Sequence, residues 1–232
     1  MTIISKKYSI TNNSADYHGI LFDLDGTLLD TANDLGAALN YVLNKYQLPE
    51  VPKARFRPVA SDGAQGLLTL GFGEQLAQFN YDQLREEFLS YYQNNLAVNT
   101  CLYSGVEGLL TELNQHDIPW GVVTNKPIDL TLQLLPNYPI FTTSKTTIGG
   151  DSLAQRKPHP APLLHACKQL KIEPSQCLYV GDALRDIEAG NSANMFSIIA
   201  KWGYIFNDTK LAAWNADFIA NTPNEIRPFI FS

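Results

Sequence analysis

Asp23 and Asp25 stand in GILFDLDGTLLDT, at the end of an apolar run, with one leucine between them. Carboxylates serve as nucleophiles, as general acids and bases, and as ligands for hard cations. Two of them about 4 Å apart also repel by roughly 4 kcal/mol at an effective dielectric near 20, so something must offset the charge. A second acidic pair, Asp182 and Asp186, follows in VGDALRD. Thr124 and Asn125 close WGVVTN with a hydroxyl, an amide and backbone N–H groups. Lys157, in QRKPHP, supplies a point charge suited to a carboxylate or a phosphoryl group. Each piece alone has a plain structural explanation, a solvated acidic pair or a loop lysine. Together they are the ingredients of phosphoryl chemistry around Mg²⁺, a cation that takes oxygen ligands from carboxylates, water and phosphate.

Such chemistry needs the pieces brought to one edge. The run before Asp23, Trp120 to Thr124, Cys177 to Val180 and Phe196 to Ala200 are short apolar segments bounded by turn residues, as buried strands are; Asp217 to Ala220 is a weaker edge candidate. Amphipathic stretches, Gly105 to Gln115, Pro160 to Leu170 and Leu184 to Ala193, alternate with them. Strands alternating with helices predict an α/β fold, a Rossmann-like parallel sheet covered on both faces. Side chains two apart on a strand share a side, so Asp23 and Asp25 face the crevice beyond the strand's carboxyl end, and Gly26 permits the turn. Asp182 belongs at another strand tip, with Asp186 one helical turn later.

Roughly 100 residues separate Asp23 from Thr124, where a strand–helix–strand unit needs about 30, so roughly 70 are inserted. Within them Asp34 to Tyr46 puts Leu35, Leu39, Val42, Leu43 and Tyr46 on one helical face, and Tyr81 to Leu96 does the same with Leu84, Phe88, Tyr91 and Tyr92. The expected organisation is a polar tail over 1–17, a core domain over 18–31 and 102–232, and a helical cap over 32–101.

Composition narrows the partners. The chain has 232 residues, 45% of them hydrophobic and 17% charged, with a net charge of −6 and no basic stripe to neutralise nucleic-acid phosphates. Three cysteines without a CxxC pair predict reduced thiols and a cytoplasmic protein, and no apolar run is long enough for a membrane span. Asn12 and Asn207 fit the glycosylation triplet, but no signal-like apolar centre precedes them. The expected partner is a small phosphorylated metabolite, bound by a monomer or homodimer.

DLDGT (23–27), the strand-end Thr124-Asn125, Lys157 and GDALRD (181–186) occur in the order seen in haloacid dehalogenase superfamily phosphatases, which the chain resembles from about Gly19 onward. IGGD (148–151), RKPHPAPLL (156–164) and KWGYI (201–205) resemble phosphoglycolate phosphatases. SDGAQGLLTLGFG (61–73) and AAWNADFIANTP (212–223) are also similar to N-acetylmuramic acid 6-phosphate phosphatases. The resemblance implies a Mg²⁺-dependent phosphomonoesterase working through an aspartyl phosphate: Asp23 as nucleophile and Asp25 as acid and base. Asp23, the Asp25 backbone carbonyl, Asp182 and Asp186 would be metal ligands. Thr124, Asn125, Lys157 and the backbone N–H groups near Leu24 and Gly26 would be phosphate donors. Crowding by like charges should favour the proton on Asp25. Ser61, Asp62, Gly63 and Ala64 are candidates for substrate contact from the cap, or an ordinary helix start. Arg55 and Arg57 are read as a solvated face, Arg156 and His159 as loop positioning, Tyr91, Tyr92 and Trp120 as packing. Asn194 replaces a glycine that relatives usually carry and is expected to take the left-handed cap position. Other readings are an N-acetylmuramic acid 6-phosphate phosphatase, a sugar phosphomutase and, from another class, a receiver-like phospho-signalling module.

Overall fold

The computed structural model of the protein describes residues 17–206 and 208–231. Apart from Tyr17, the tail expected over 1–17 therefore lies outside the described residues, as do Asn12 and Asn207. In chain order the elements are β1 (Gly19–Phe22), β2 (Leu29–Asp30), α1 (Ala32–Lys45), α2 (Lys53–Phe56), α3 (Gly63–Phe72), α4 (Tyr81–Asn94) and β3 (Cys101–Leu102). There follow α5 (Val106–Gln115), β4 (Trp120–Val123), α6 (Ile128–Leu134), β5 (Thr146–Ile148), α7 (Ala161–Leu170), β6 (Cys177–Gly181), α8 (Leu184–Ser192), β7 (Phe196–Ala200), β8 (Phe218–Ala220) and α9 (Arg227–Ile230).

Six strands make one parallel sheet in the order β5-β4-β1-β6-β7-β8, the α/β architecture that the alternating pattern predicts. β1 is central, with Ile20 opposite both Trp120 and Leu178. Its side chains alternate between two buried layers. Ile20 and Phe22 pack with Trp120, Val122 and the α5 leucines Leu109, Leu110 and Leu113. Leu21 lies on the other face with Tyr179 and the α7 residues Leu163, Ala166 and Cys167. Burial on both faces is why these strands read as continuous apolar runs. α8 ends in a Schellman turn: Met195 N donates to Gly190 O and Asn194 N to Asn191 O, with Asn194 at φ +57°, the left-handed position expected of it.

Between β1 and β4 the chain leaves the sheet through β2 and returns through β3, which pair antiparallel, Leu29 against Leu102 and Asp30 against Cys101. The intervening helices bury their own cluster: Leu35, Leu39, Val42 and Leu43 of α1, Leu67, Leu68 and Phe72 of α3, Leu84, Phe88 and Tyr92 of α4. The period of α1 and α4 is as expected, except that Tyr46 and Tyr91 are half-buried. Tyr91 stacks on Tyr41, ring centroids 4.3 Å apart. Asp34, where the sequence begins the helix, is buried in the first turn of α1. It accepts hydrogen bonds from Asn99 N, Asn99 Nδ2, Thr100 N and Thr100 Oγ1, tying the returning strand to the departing helix. No helix among the described residues is long and apolar enough to cross a membrane.

Candidate active site

β1 stops at Phe22, and Asp23 is the first residue past it, with its N–H donating to Val180 O of β6 at 2.9 Å. The chain then coils on itself: the N–H groups of Thr27, Leu28 and Leu29 all reach Leu24 O. Gly26 makes this possible. Its φ is +87°, and a Cβ there would lie 2.2 Å from Asp182 Oδ2. The same turn overturns part of an expectation: the Gly26 N–H donates to Leu29 O at 2.9 Å, so it is not free for a phosphate. Thr124 N is spent likewise, on Ile148 O of the neighbouring strand.

Asp23, Asp182 and Asp186 converge, one carboxylate oxygen from each lying within 4.8 Å of the others, all three buried. Asp182 arrives at the tip of β6. Asp186 stands in the first turn of α8, where its Oδ2 accepts from Ala183 N at 2.9 Å. Lys157 is wholly buried among them. Its Nζ donates to Asp186 Oδ1 at 2.7 Å, Tyr179 Oη at 2.8 Å and Val123 O at 2.8 Å, and pairs with Asp23 Oδ1 at 2.9 Å. The Asn125 amide holds the lysine loop from both sides, donating to Lys157 O at 2.9 Å and accepting from Lys157 N at 3.1 Å. Asn125 thus positions the lysine as well as facing the open crevice.

One ammonium in contact does not balance three carboxylates. Burial and then the charges of Asp23 and Asp186 push Asp182 up to about 7, although Tyr204 N and Ser61 Oγ donate to it. Burial likewise raises Asp23 against the pull of Lys157, with Asp186 adding to the rise. Arg185 answers part of this charge. Burial disfavours its cation, yet Asp186, Asp23 and Asp182 hold its pKa above the usual value. A buried, like-charged set of hard oxygen donors fits a divalent cation such as Mg²⁺.

Asp25 stands outside that cluster. Its Oδ1 accepts from Thr31 Oγ1 at 2.6 Å and from Lys126 Nζ at 3.0 Å, and its Oδ2 lies 3.2 Å from the same ammonium. The crowding expected at Asp25 therefore falls on Asp182 and Asp23, while Asp25 has an ammonium for a neighbour. Lys126 is itself buried at the tip of β4, with the Tyr92 ring of α4 4.4 Å from its Nζ. Burial disfavours that ammonium, but Asp25 holds its pKa above the ordinary value. Sequence reasoning missed Lys126. The signal was its spacing, two residues past Thr124, which at a strand end returns a side chain to the same side.

The candidate cap residues do more than start a helix. Asp62 precedes α3 but makes no side-chain cap there. Its Oδ1 accepts from Arg185 at 3.0 Å, Ser61 O also accepts from Arg185, and Ser61 Oγ donates to Asp182 Oδ2 at 2.8 Å. Gly63 and Ala64 line the open space beside them. Arg57, read as solvated, instead donates from Nη1 to both oxygens of Asp30 at 2.8 Å and lies over the Tyr204 ring, while Arg55 is exposed. Between the helices and the sheet edge lies a cavity of about 860 Å³. Asp23, Asp25, Thr124, Asn125, Lys126 and Lys157 form its floor, and α3 and α4 supply residues of the opposite wall.

Comparison with known proteins gives the same direction. Residues 20–200 match the family model described as haloacid dehalogenase-like hydrolase. The chain is 42% identical over 207 residues to a phosphoglycolate phosphatase of Xanthomonas campestris pv. campestris strain 8004, covering 89% of this chain and 93% of that one. It is 39% identical to an N-acetylmuramic acid 6-phosphate phosphatase of Pseudomonas aeruginosa PAO1, covering 89% and 92%. A crystal structure described as a predicted phosphoglycolate phosphatase from Haemophilus somnus 129PT superposes with a TM-score of 0.79 at 30% identity, over 88% of this chain and 93% of that one.

Proposed function

The chain belongs to the haloacid dehalogenase-like hydrolases, and on that footing we propose that it is a Mg²⁺-dependent phosphomonoesterase acting on a small phosphorylated acid. The observation that carries this reading is the convergence of Asp23, Asp182 and Asp186, the first and last paired with one buried lysine, with Asp25 just outside at the cavity floor. Asp23 attacks phosphorus, and the bond from phosphorus to the ester oxygen breaks as the Asp23–phosphorus bond forms. Asp25 delivers a proton to the departing oxygen, then takes one from the water that hydrolyses the aspartyl phosphate. Lys126 and Thr31 hold the Asp25 carboxyl from one side, leaving it aimed at the crevice. The Thr124 hydroxyl, the Asn125 amide, Lys157 and the Leu24 N–H are the donors for the phosphoryl oxygens. Asp23, Asp182, Asp186 and the Asp25 carbonyl would hold Mg²⁺, which supplies positive charge to the phosphoryl oxygens and keeps Asp23 ionised.

The helices over the crevice act as a cap, reaching the core through Ser61 and Asp62. The relatives named above are described by two phosphorylated acids, and a substrate of that class suits a cavity holding five cationic side chains. Phosphate release from an aryl phosphate, with and without Mg²⁺, tests the reading alongside mass analysis of borohydride-trapped protein. Asp23→Asn is expected to abolish both turnover and the label. Turnover in that variant would overturn it, and a stable label on the parent chain without turnover would favour a receiver-like module.

A further inference from the structure

The five cations lining the cavity are not equivalent. Lys126 is paired with Asp25, Lys157 with Asp23 and Asp186, and Arg185 with Asp62. Arg85, on α4, and Arg156, immediately before Lys157, also line the space; both are exposed, and neither guanidinium makes an ion pair or hydrogen bond among the described residues. One stands on the helical wall and the other on the sheet wall. Unspent guanidiniums facing a ligand space are suited to a carboxylate, which their planar forks bind in two-point fashion.

Size gives a second, independent indication. The helices are already fastened to the sheet layer by Ser61 to Asp182, Arg185 to Asp62 and Arg57 to Asp30, so the volume is that of a joined arrangement. About 860 Å³ remains inside it. That is near the top of the roughly 300–1,000 Å³ range that takes drug-sized ligands. A phosphate with two carbons attached would leave most of it to water. Leu70 and Leu89, both half-buried, also line the space and offer apolar surface that a two-carbon acid could not cover.

We infer that Arg85 and Arg156 form an anion subsite for a carboxylate on the leaving group, and that the substrate is a phosphorylated acid of sugar size. The inference rests on the phosphomonoesterase reading and sharpens it. Steady-state kinetics on three probes test it: 2-phosphoglycolate, N-acetylmuramic acid 6-phosphate, and N-acetylglucosamine 6-phosphate, which keeps the ring but lacks the acidic side chain. The acidic sugar is expected to exceed both others by about tenfold or more in kcat/KM. Arg85→Ala and Arg156→Ala should each cut the ratio of acidic to neutral sugar by about tenfold, chiefly through KM, with Arg85→Lys restoring part of it. Phosphoglycolate matching or exceeding the acidic sugar would overturn the inference, as would a ratio unmoved in both variants. If none of the three is hydrolysed while an aryl phosphate is, the subsite assignment fails alone. If the aryl phosphate also fails, the phosphomonoesterase reading falls and takes the inference with it.

Discussion

Lys126 and Lys157 are both buried ammoniums beside carboxylates, and their surroundings set different consequences for losing them. Lys157 is the direct counter-charge to Asp23 and Asp186, held also by Val123 O and Tyr179. Lys157→Met leaves buried charges unpaired and should lower stability by about 3–5 kcal/mol, read by urea denaturation. Among the described residues Lys126 has Asp25 as its ion-pair partner, and Asp25 lies partly open to the cavity. Lys126→Met should leave the fold in place and reduce kcat by roughly 10- to 100-fold, because Asp25 loses its fixed aim. The acidic cluster adds a pH prediction. Asp182 is raised to about 7 in the folded chain, so below that pH the folded state holds a proton that the unfolded state has released. Between about pH 4 and 7 its contribution to stability therefore falls as pH rises. The proposed Mg²⁺ would compete for that proton's place, so the gain in Tm on adding Mg²⁺ should widen from pH 5 to pH 7.5. A gain independent of pH would count against the cluster as the metal site.

β2 and β3 are two residues each, yet they carry both crossings between the layers. Thr31 would ordinarily cap α1, but its hydroxyl is given to Asp25, so the helix begins without a side-chain cap. What holds the crossing is a set of side chains from distant elements: Arg57 and Tyr204 on Asp30, Tyr204 Oη on Thr31 N at 2.7 Å, and Asp34 on Asn99 and Thr100. Arg57→Ala should cost about 1–2 kcal/mol and raise hydrogen exchange at Leu29 to Ala32 more than in β1. Such ties explain what the sequence could and could not reveal. α1 and α4 announce themselves by a 3.6-residue period and the central strands by apolar runs between turns. Two-residue strands have no period to detect. Arg57 gave no sign of its partner because Asp30 lies 27 residues away on another element. The same limit applies at the site. Asp23, Thr124 and Asp182 follow strand ends and Lys157 stands in the loop before α7, places that pattern could find, whereas the contacts of Ser61 and Arg185 depend on how one layer seats on the other.

The molecule has separate apolar interiors, one in the helical layer and others on the two faces of the sheet, with the cavity where the layers meet. Their independence is testable. Phe88 is fully buried in the helical cluster, and Phe88→Ala should cost about 3–5 kcal/mol. Hydrogen exchange should accelerate through α1, α3 and α4 while β1 and β6 stay protected; uniform loss of protection would show one cooperative unit instead. The antiparallel pairing of Asp30 with Cys101 has a consequence for how such a chain can be altered. Cutting out everything between these two residues leaves ends that are already adjacent, and a short hairpin turn would rejoin them. The helical layer is in effect a cartridge. A transplanted layer would enter through that single socket, and it would have to bring its own counterparts of Thr31 on Asp25 and Ser61 on Asp182.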